Sequence, residues 1–164
     1  MGGDIQVLNH SSFGKEPVAD VHVKSSTLNS CQVTSDDVPN LIDELPVLFI
    51  ASSFAEGISS FNDIEELKHK ESNRLKAMQD GLNKMKIKNF LDGNVFCIKG
   101  MGKDYKSPNF LAETFYDHRI AMSFAIAGLN SSSSIEIASP ESINTSFPEF
   151  IELGKKLGCN FEFS

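Results

Sequence analysis

LIDELPVLFIASSFAEG, residues 41–57, is the stretch that decides the fold. Apolar side chains lie all round the helix that it predicts, at Leu45, Val47, Leu48, Phe49, Ile50 and Phe54. A helix that is apolar all round is normally buried on every side. Asp43 is a candidate N-cap, Pro46 fits only the first turn, and Gly57 ends the helix. The stretch therefore predicts a helix at the centre of a domain.

A second stretch of the same kind, HRIAMSFAIAGL, follows Asp117, a candidate N-cap, and stops at Gly128. Gly57 and Gly128 are 71 positions apart, and each is followed by a strand-like run, a loop, an amphipathic helix and another strand-like run. KMKIKNF at 84–90 also resembles KKLGCNF at 155–161, and the opening MGGDIQV resembles LGCNFEF. We therefore expect two complete copies of a repeated unit, in a chain that begins just after the helix of another copy.

The remaining elements are short strands and two further helices. One helix is predicted at about 71–86, where Leu75, Met78, Leu82 and Met85 have helical spacing. The other is predicted at 147–158, with Pro148 in its first turn and cap candidates at Asn144, Thr145 and Ser146. Strands are expected at 4–8, 21–24, 57–61, 95–99, 133–137 and 160–163. No shift in composition marks a boundary, so we expect residues 1–164 to form a single domain.

Composition excludes several classes of function. The net charge of −7 argues against a general binder of nucleic acid or anionic membranes, because such proteins need a basic face. Cys31, Cys97 and Cys159 form no CxxC pair, which favours reduced thiols in a cytosolic protein over a zinc site or disulfides. No apolar run approaches the roughly 20 residues of a membrane helix, and no secretory signal is seen. Function is therefore sought in a local site.

Charged side chains gather at the predicted helix starts. Lys70, Glu71 and Arg74 surround one of them, although a solvated surface pair would equally explain Glu71 and Arg74. His118 and Arg119 open a buried helix, where the positive end of the helix dipole disfavours a base unless an anion binds there. A chance surface arginine is the alternative interpretation of Arg119.

Asp43 places another carboxylate at a helix start, as Asp117 does in the second unit. If the two units stack, these starts converge with Arg74 and Arg119. Guanidinium groups bind anions in a bidentate manner, and Asp43 and Glu71 would be available for proton transfer. The pattern predicts a site for a multiply anionic substrate.

Five motifs in a fixed order carry a family resemblance: IDELP at 42–46, FAEG at 54–57, KES-x-RL at 70–75, DHRIAM at 117–122 and TSFPEF at 145–150. With the opening MGGDIQV and EPVADVHVKSSTL, they resemble the C-terminal part of the 5-enolpyruvylshikimate-3-phosphate (EPSP) synthase family. The resemblance covers nearly the whole chain. It implies an α/β fold, an inverse α/β barrel-like lobe of β-α-β-α-β-β units with buried helices and sheets outside. The chain would hold about two of the three units of one lobe, without the rest of the enzyme.

The resemblance implies transfer of an enolpyruvyl group from phosphoenolpyruvate to the 5-hydroxyl of shikimate 3-phosphate. It implies no metal or organic cofactor and a cytoplasmic, monomeric enzyme. Asp43 would orient and deprotonate the 5-hydroxyl, and Glu71 would donate a proton to the methylene of phosphoenolpyruvate and later take it back. Lys70 would contact the shikimate side. Substrate contacts would also come from Arg74 and Arg119, as clamps for the phosphoenolpyruvate phosphate and carboxylate, and from His118 beside them.

Some features depart from the family pattern or leave alternatives. Thr145 stands where some members carry lysine, so one phosphoenolpyruvate contact is expected to be absent or supplied elsewhere. The sister transferase acting on UDP-N-acetylglucosamine would show an Arg-led sequence and D-L-R instead of KES-x-R and DHR, and is less favoured. Another alternative is a folded half-lobe without catalysis of its own, because closure of two lobes desolvates such a site. We expect no turnover from the chain alone.

Overall fold

The computed structural model describes residues 1–132 and 134–162, in which short strands and helices alternate. The strands are β1 Asp4–Phe13, β2 Glu16–Lys24, β3 Gln32–Val33, β4 Ile58–Asn62, β5 Asn89–Asp92, β6 Val95–Lys99, β7 Phe110–Ala112 and β8 Ile135–Ile137. The helices are α1 Val38–Leu41, α2 Leu45–Ser53, α3 Arg74–Lys84, α4 His118–Gly128 and α5 Phe150–Lys156, with 3₁₀ turns at Glu65–His69 and Pro140–Thr145. Each helix in the described ranges is too short or too polar to span a bilayer.

A β-α-β crossover occurs twice along the chain. β3 and β4 are parallel and joined through α2, while β7 and β8 are parallel and joined through α4. A parallel backbone bridge precedes each pair, Asn29 to Glu56 and Ser107 to Ser131. The first crossover continues through α3 into the antiparallel hairpin β5–β6, which gives a sheet of order β3-β4-β6-β5. Apart from the short α1, the expected β-α-β-α-β-β order is therefore observed in full once, and the second crossover leads into α5.

The two helices that the sequence predicts to be buried lie at the centre of the packing. In α2, Phe49 is fully buried and meets Phe61 of β4 and Phe96 of β6 edge-on, with ring centroids 4.7 and 5.0 Å apart. α2 packs against α4, and both contact α3. The contact between α3 and α4 depends on Gly81, because a Cβ atom there would lie 1.9 Å from Cζ of Phe124. This packing brings the starts of three helices to the same end of the core.

The boundaries of three predicted helices are wrong. The helix expected at 41–57 begins only at Leu45, after a separate short helix, α1, has ended at Leu41. Pro46 has no N–H to continue a helix begun upstream. α2 then ends at Ser53, before Gly57. α3 begins at Arg74 because Asn73 caps it, accepting a hydrogen bond from the backbone N–H of Lys76 at 3.0 Å. The last helix, α5, begins only after Glu149. Two of its three cap candidates, Asn144 and Thr145, lie in a 3₁₀ turn at 140–145 instead. The third candidate, Ser146, follows that turn and does not cap the helix either.

The predicted strands are confirmed at β4 and β6, and the first two form a hairpin, β1–β2, that is longer than expected. β3, β5 and β7 were not predicted. The strand expected at 160–163 is wrong over 160–162, which pair with none of the described strands. Phe163, and Ser133 at the start of the strand that became β8, lie outside the described residues.

Candidate active site

The starts of α2, α3 and α4 meet around Arg74, the first residue of α3, which is only 2% exposed. Its Nε donates to Oδ2 of Asp117 at 2.8 Å, and its Nη1 donates to Oδ1 of Asp43 at 2.9 Å. Its Nη2 lies 3.5 Å from Oε2 of Glu71, an ion pair longer than a good hydrogen bond. Desolvation alone would lower the pKa of Arg74, but the hydrogen bonds and charges of these carboxylates raise it above its ordinary value. Arg74 is therefore a buried, charged guanidinium that joins three segments.

Asp117 is fully buried and is the N-cap of α4, as the sequence predicts. Its Oδ1 accepts hydrogen bonds from the backbone N–H groups of Arg119 and Ile120, at 3.0 and 3.4 Å. Its Oδ2 accepts from Oγ of Ser72 at 3.0 Å and from Nε of Arg74. Sequence reasoning missed this second role. A signal for it was present, because a cap on a helix that is apolar all round is buried, and its second oxygen then needs a partner.

Asp43 does not cap α2, and that prediction is wrong. The N-cap of α2 is Glu44, whose side chain makes no capping hydrogen bond. The Asp43 carboxylate turns instead to cations, with Oδ1 2.9 Å from Nη1 of Arg74 and 3.3 Å from Nζ of Lys70. Desolvation raises the pKa of Asp43, but the hydrogen bond and charge of Lys70, with Arg119 and Arg74, outweigh it and the pKa is lowered. The side chain is 47% exposed, so an ionised carboxylate remains accessible.

Lys70, the neighbour of Asp43, also binds a second carboxylate. Its Nζ is also 2.6 Å from Oε1 of Glu66. The Glu66 hydrogen bond is the largest influence and raises the pKa of Lys70; desolvation opposes it, and Asp43 adds to the increase. Lys70 is therefore a cation held beside the half-exposed carboxylate of Asp43.

Glu71 and His118 form a second pair within the cluster. Oε2 of Glu71 lies 3.0 Å from Nδ1 of His118, the first residue of α4. The Glu71 side chain is 53% exposed, whereas that of His118 is 11% exposed. Glu71 was predicted to lie in the first turn of a helix; it instead precedes the Asn73 cap, in the turn between the 3₁₀ segment and α3. A carboxylate and an imidazole at this distance can exchange a proton.

Among the described residues, the side chain of Arg119 finds its hydrogen-bond partners through one nitrogen, Nη1. Its Nη1 donates to the backbone oxygen of Asp43 at 2.8 Å and to Oε1 of Glu44 at 2.5 Å. Within residues 1–132 and 134–162, no hydrogen-bond partner is found for its Nε or Nη2. These two groups form the edge of a guanidinium that binds a carboxylate or phosphate in a bidentate manner. The structure thus leaves the anion-binding edge of Arg119 open.

All six predicted site residues come together: Asp43, Lys70, Glu71, Arg74, His118 and Arg119. Thr145 does not join them, since its hydroxyl donates to the carbonyl of Ser142 at 2.7 Å within the second 3₁₀ turn. A cavity of about 700 Å³ lies elsewhere, between α4, β8 and α5, and none of the six lines it. The cluster therefore lies apart from this cavity.

Glu71, Asp117 and His118 bring ligand-type atoms within 4.8 Å of one another, a geometry that invites a test for a metal ion. Both oxygens of Asp117 already accept two hydrogen bonds each. The positive guanidinium of Arg74 also lies against Asp117 and Glu71. This arrangement favours an anion over a cation.

Comparison with known proteins gives matches over most of the chain. The sequence model of the EPSP synthase (3-phosphoshikimate 1-carboxyvinyltransferase) family matches residues 1–153. A 3-phosphoshikimate 1-carboxyvinyltransferase of Ruthia magnifica is 41% identical over 162 residues, which are 98% of this chain and 36% of the relative. The enzyme of that name from Zymomonas mobilis is 43% identical over 167 residues, with coverage of 99% and 36%.

Solved structures also match this chain in three dimensions. EPSP synthase from Acinetobacter baumannii superposes with a TM-score of 0.94 at 43% identity, over 100% of this chain and 38% of that one. The enolpyruvyl transferase NikO from Streptomyces tendae reaches 0.60 at 17% identity, over 96% and 33%, which indicates a shared fold. The chain thus spans little more than a third of the length of these relatives. The chain belongs to the EPSP synthase family.

Proposed function

We propose that this chain forms part of an enzyme that transfers the enolpyruvyl group of phosphoenolpyruvate to the 5-hydroxyl of shikimate 3-phosphate. The observation that carries the proposal is the meeting of three helix starts, which groups two arginines with Asp43 and Glu71. Because the chain spans about 36% of its relatives, we take the cluster to be one side of a site. The UDP-N-acetylglucosamine enzyme is not favoured, since the similar relatives at about 40% identity carry the shikimate name.

Phosphoenolpyruvate is proposed to bind between Arg119 and Arg74. Arg119 offers its Nε and Nη2 edge, and Arg74 offers Nη2, which only a long ion pair to Glu71 engages. The two guanidinium groups share Asp43 as a neighbour, Arg119 through its backbone oxygen and Arg74 through its carboxylate. Two fixed cations this close match a ligand with a phosphate and a carboxylate.

Proton transfer is assigned to the two exposed carboxylates. Asp43, held ionised by its lowered pKa, would accept the proton of the 5-hydroxyl as that oxygen bonds to C2 of phosphoenolpyruvate. Glu71 would protonate C3 to give the tetrahedral intermediate, then take the proton back as phosphate leaves and the double bond forms again. His118, 3.0 Å from Glu71, would hold that carboxylate in place. Lys70 would contact the shikimate side next to Asp43.

The chain is also proposed to supply about two of three units in one lobe. Hairpin β1–β2 carries Ile5, Val7, Val21 and Val23 on one face, each at least 50% exposed. In hairpin β5–β6, which has the equivalent place in the first full unit, the inward Phe96 and Ile98 are fully buried. Helices of a preceding unit would cover the bare face in the same way. We further propose that the complete enzyme is a cytoplasmic monomer that needs no metal or organic cofactor.

Phosphate release with both substrates tests the proposal. The 164-residue chain alone should show no turnover. Detectable phosphate release would contradict the proposal that the chain supplies only one side of the active site. A chimera that joins the upstream part of the Acinetobacter baumannii enzyme to this chain should release phosphate. Glu71→Gln in the chimera should cost at least about 100-fold in rate, because a general acid contributes that much. A folded chimera without activity would refute the proposed transfer reaction. A Glu71→Gln chimera as active as the parent chimera would refute the role of Glu71 as general acid.

A further inference from the structure

Asp117 lies at the junction between the two halves of the charged cluster. It is fully buried, and its two oxygens have separate partners. Oδ1 holds the first backbone N–H groups of α4, the helix that carries His118 and Arg119. Oδ2 holds Ser72 and Arg74, in the segment that carries Lys70 and Glu71. One carboxylate thus ties the start of α4 to the start of α3.

The orientation of Arg74 depends on this link. A guanidinium is planar, and its Nε–H fixes the direction in which the remaining nitrogens point. With Nε bound to Asp117, Nη1 points to Asp43 and Nη2 to Glu71. Asp43 is about half exposed and Glu71 more so, whereas Asp117 is fully buried. Among these three carboxylates, Asp117 is the one that is fully buried and held by four hydrogen bonds, so it has the least freedom to move.

We propose that Asp117 is a positioning residue, which sets the Arg74 guanidinium relative to Arg119 so that both bind phosphoenolpyruvate. The ligand named here rests on the proposed function, whereas the positioning of Arg74 does not. A purely structural role, the capping of α4, is the competing explanation. The two roles use different oxygens, so they can be separated.

Asp117→Asn separates them. Asparagine caps a helix as well as aspartate, so Oδ1 can still accept from Arg119 and Ile120. The amide NH₂ replaces Oδ2, however, and places a donor against the Nε–H donor of Arg74. Asp37→Asn is the matched control, since it makes the same chemical change at the exposed start of α1, where Asp37 binds Thr34.

Two measurements on the 164-residue chain decide the matter. The first is the NMR signal of the Arg74 Nε–H group, assigned by its loss in Arg74→Lys. Its exchange with water should be slow in the parent chain and at least ten times faster in Asp117→Asn, while the Ile120 amide stays protected. The second is a phosphoenolpyruvate titration, in which Kd should rise at least tenfold. Asp37→Asn should change neither quantity.

A protected Arg74 signal in Asp117→Asn, or unchanged affinity in a parent chain that binds, would overturn the positioning role. Equal loss in Asp37→Asn would also overturn it. If the parent chain does not bind phosphoenolpyruvate, the proposed half-site fails, and the Nε–H signal alone decides the positioning role. If Asp117→Asn does not fold, Asp117→Ser, another capping residue, is measured in the same way. An exchange-protected Arg74 in that variant counts against the role.

Discussion

Asp43 and Asp117 come just before two buried helices, α2 and α4, yet their surroundings are opposite. Asp117 immediately precedes α4, caps it and is fully buried with four hydrogen bonds. Asp43 lies two positions before α2, caps nothing and is about half exposed between Lys70 and Arg74. A one-residue difference in distance from the helix therefore separates a locked carboxylate from one that a ligand can reach.

The comparison shows how a repeated unit can place similar residues in different roles. Both carboxylates bind Arg74, so both belong to one network. The locked one has no lone pair left for a substrate, because each oxygen already accepts two hydrogen bonds. The open one, Asp43, caps no described helix and is about half exposed, and the proposed function has it accept a proton. The predictions below test this division between structure and chemistry.

Asp117→Ala should give the largest change in stability. It removes the fully buried partner of Arg74 together with the cap of α4, and leaves the guanidinium only the half-exposed carboxylates of Asp43 and Glu71. Loss of a buried ion-pair partner costs about 3–5 kcal/mol of unfolding free energy. Urea unfolding of the 164-residue chain measures this. Asp43→Ala should cost about 1 kcal/mol or less, because its pairs are half exposed and screened. Equal losses in the two variants would remove the distinction.

Asp43→Asn, tested in the catalytically complete chimera, should reduce the rate of turnover but not the stability. Turnover is expected to fall about 100-fold or more, since a general base is lost, while the unfolding midpoint in urea stays nearly unchanged. Initial rates of phosphate release at saturating substrate give the comparison, with Asp37→Asn as the control at another helix start. A rate within threefold of the parent would exclude Asp43 as the base.

The buried helices and the composition of the site were predictable, because both depend on local sequence. All-apolar stretches indicated α2 and α4, and the family motifs contained all six residues that meet in the structure. The first residues of the helices were less predictable, because each is set by a single local feature: Pro46, which lacks an N–H, lies in the first turn of α2, and the Asn73 side chain caps α3. β3 and β7 have only two and three residues, too few to show the alternation of apolar and polar side chains that predicts a strand. They are strands because they pair in parallel with β4 and β8.

The contacts within the site depended on tertiary structure. The link between Asp117 and Arg74 spans 43 positions, and that between Glu44 and Arg119 spans 75. No pattern within one helix encodes a pair at such separations. Sequence reasoning accordingly treated Asp117 as a cap, gave Asp43 a capping role that it lacks, and did not single out Glu44.

The pH dependence of stability offers a smaller test of Asp43. Its pKa in the folded chain lies below the ordinary 3.8, so its ionised form stabilises the fold above pH 3.8. That contribution is lost as the pH falls through the folded pKa. The parent chain should therefore exceed Asp43→Asn in stability near pH 6, by no more than about 1 kcal/mol, and the two should converge toward pH 3. Unfolding free energies across this range measure it, and a gap that widens in acid would contradict the sign.

Glu44→Gln should give the smallest effect, and one of opposite sign to that of Asp117. Glu44 is well exposed and binds Arg119 through Nη1, next to the open anion-binding edge. Its charge repels an incoming anion by about 1 kcal/mol or less in water, so its removal should strengthen phosphoenolpyruvate binding by the chain up to about fivefold. Added salt should reduce the gain, since exposed charges are screened.

Glu152→Gln is the matched control for that change, because Glu152 pairs with Lys156 on α5, also at the surface. It should leave the affinity unchanged. If Glu44→Gln weakened binding instead, Glu44 would be a support for Arg119 in the way that Asp117 is for Arg74. The start of α2 would then carry a structural carboxylate, Glu44, next to the carboxylate proposed to react, Asp43. Structural and catalytic roles would in that case be divided between neighbouring residues of one helix start, rather than between the starts of α2 and α4.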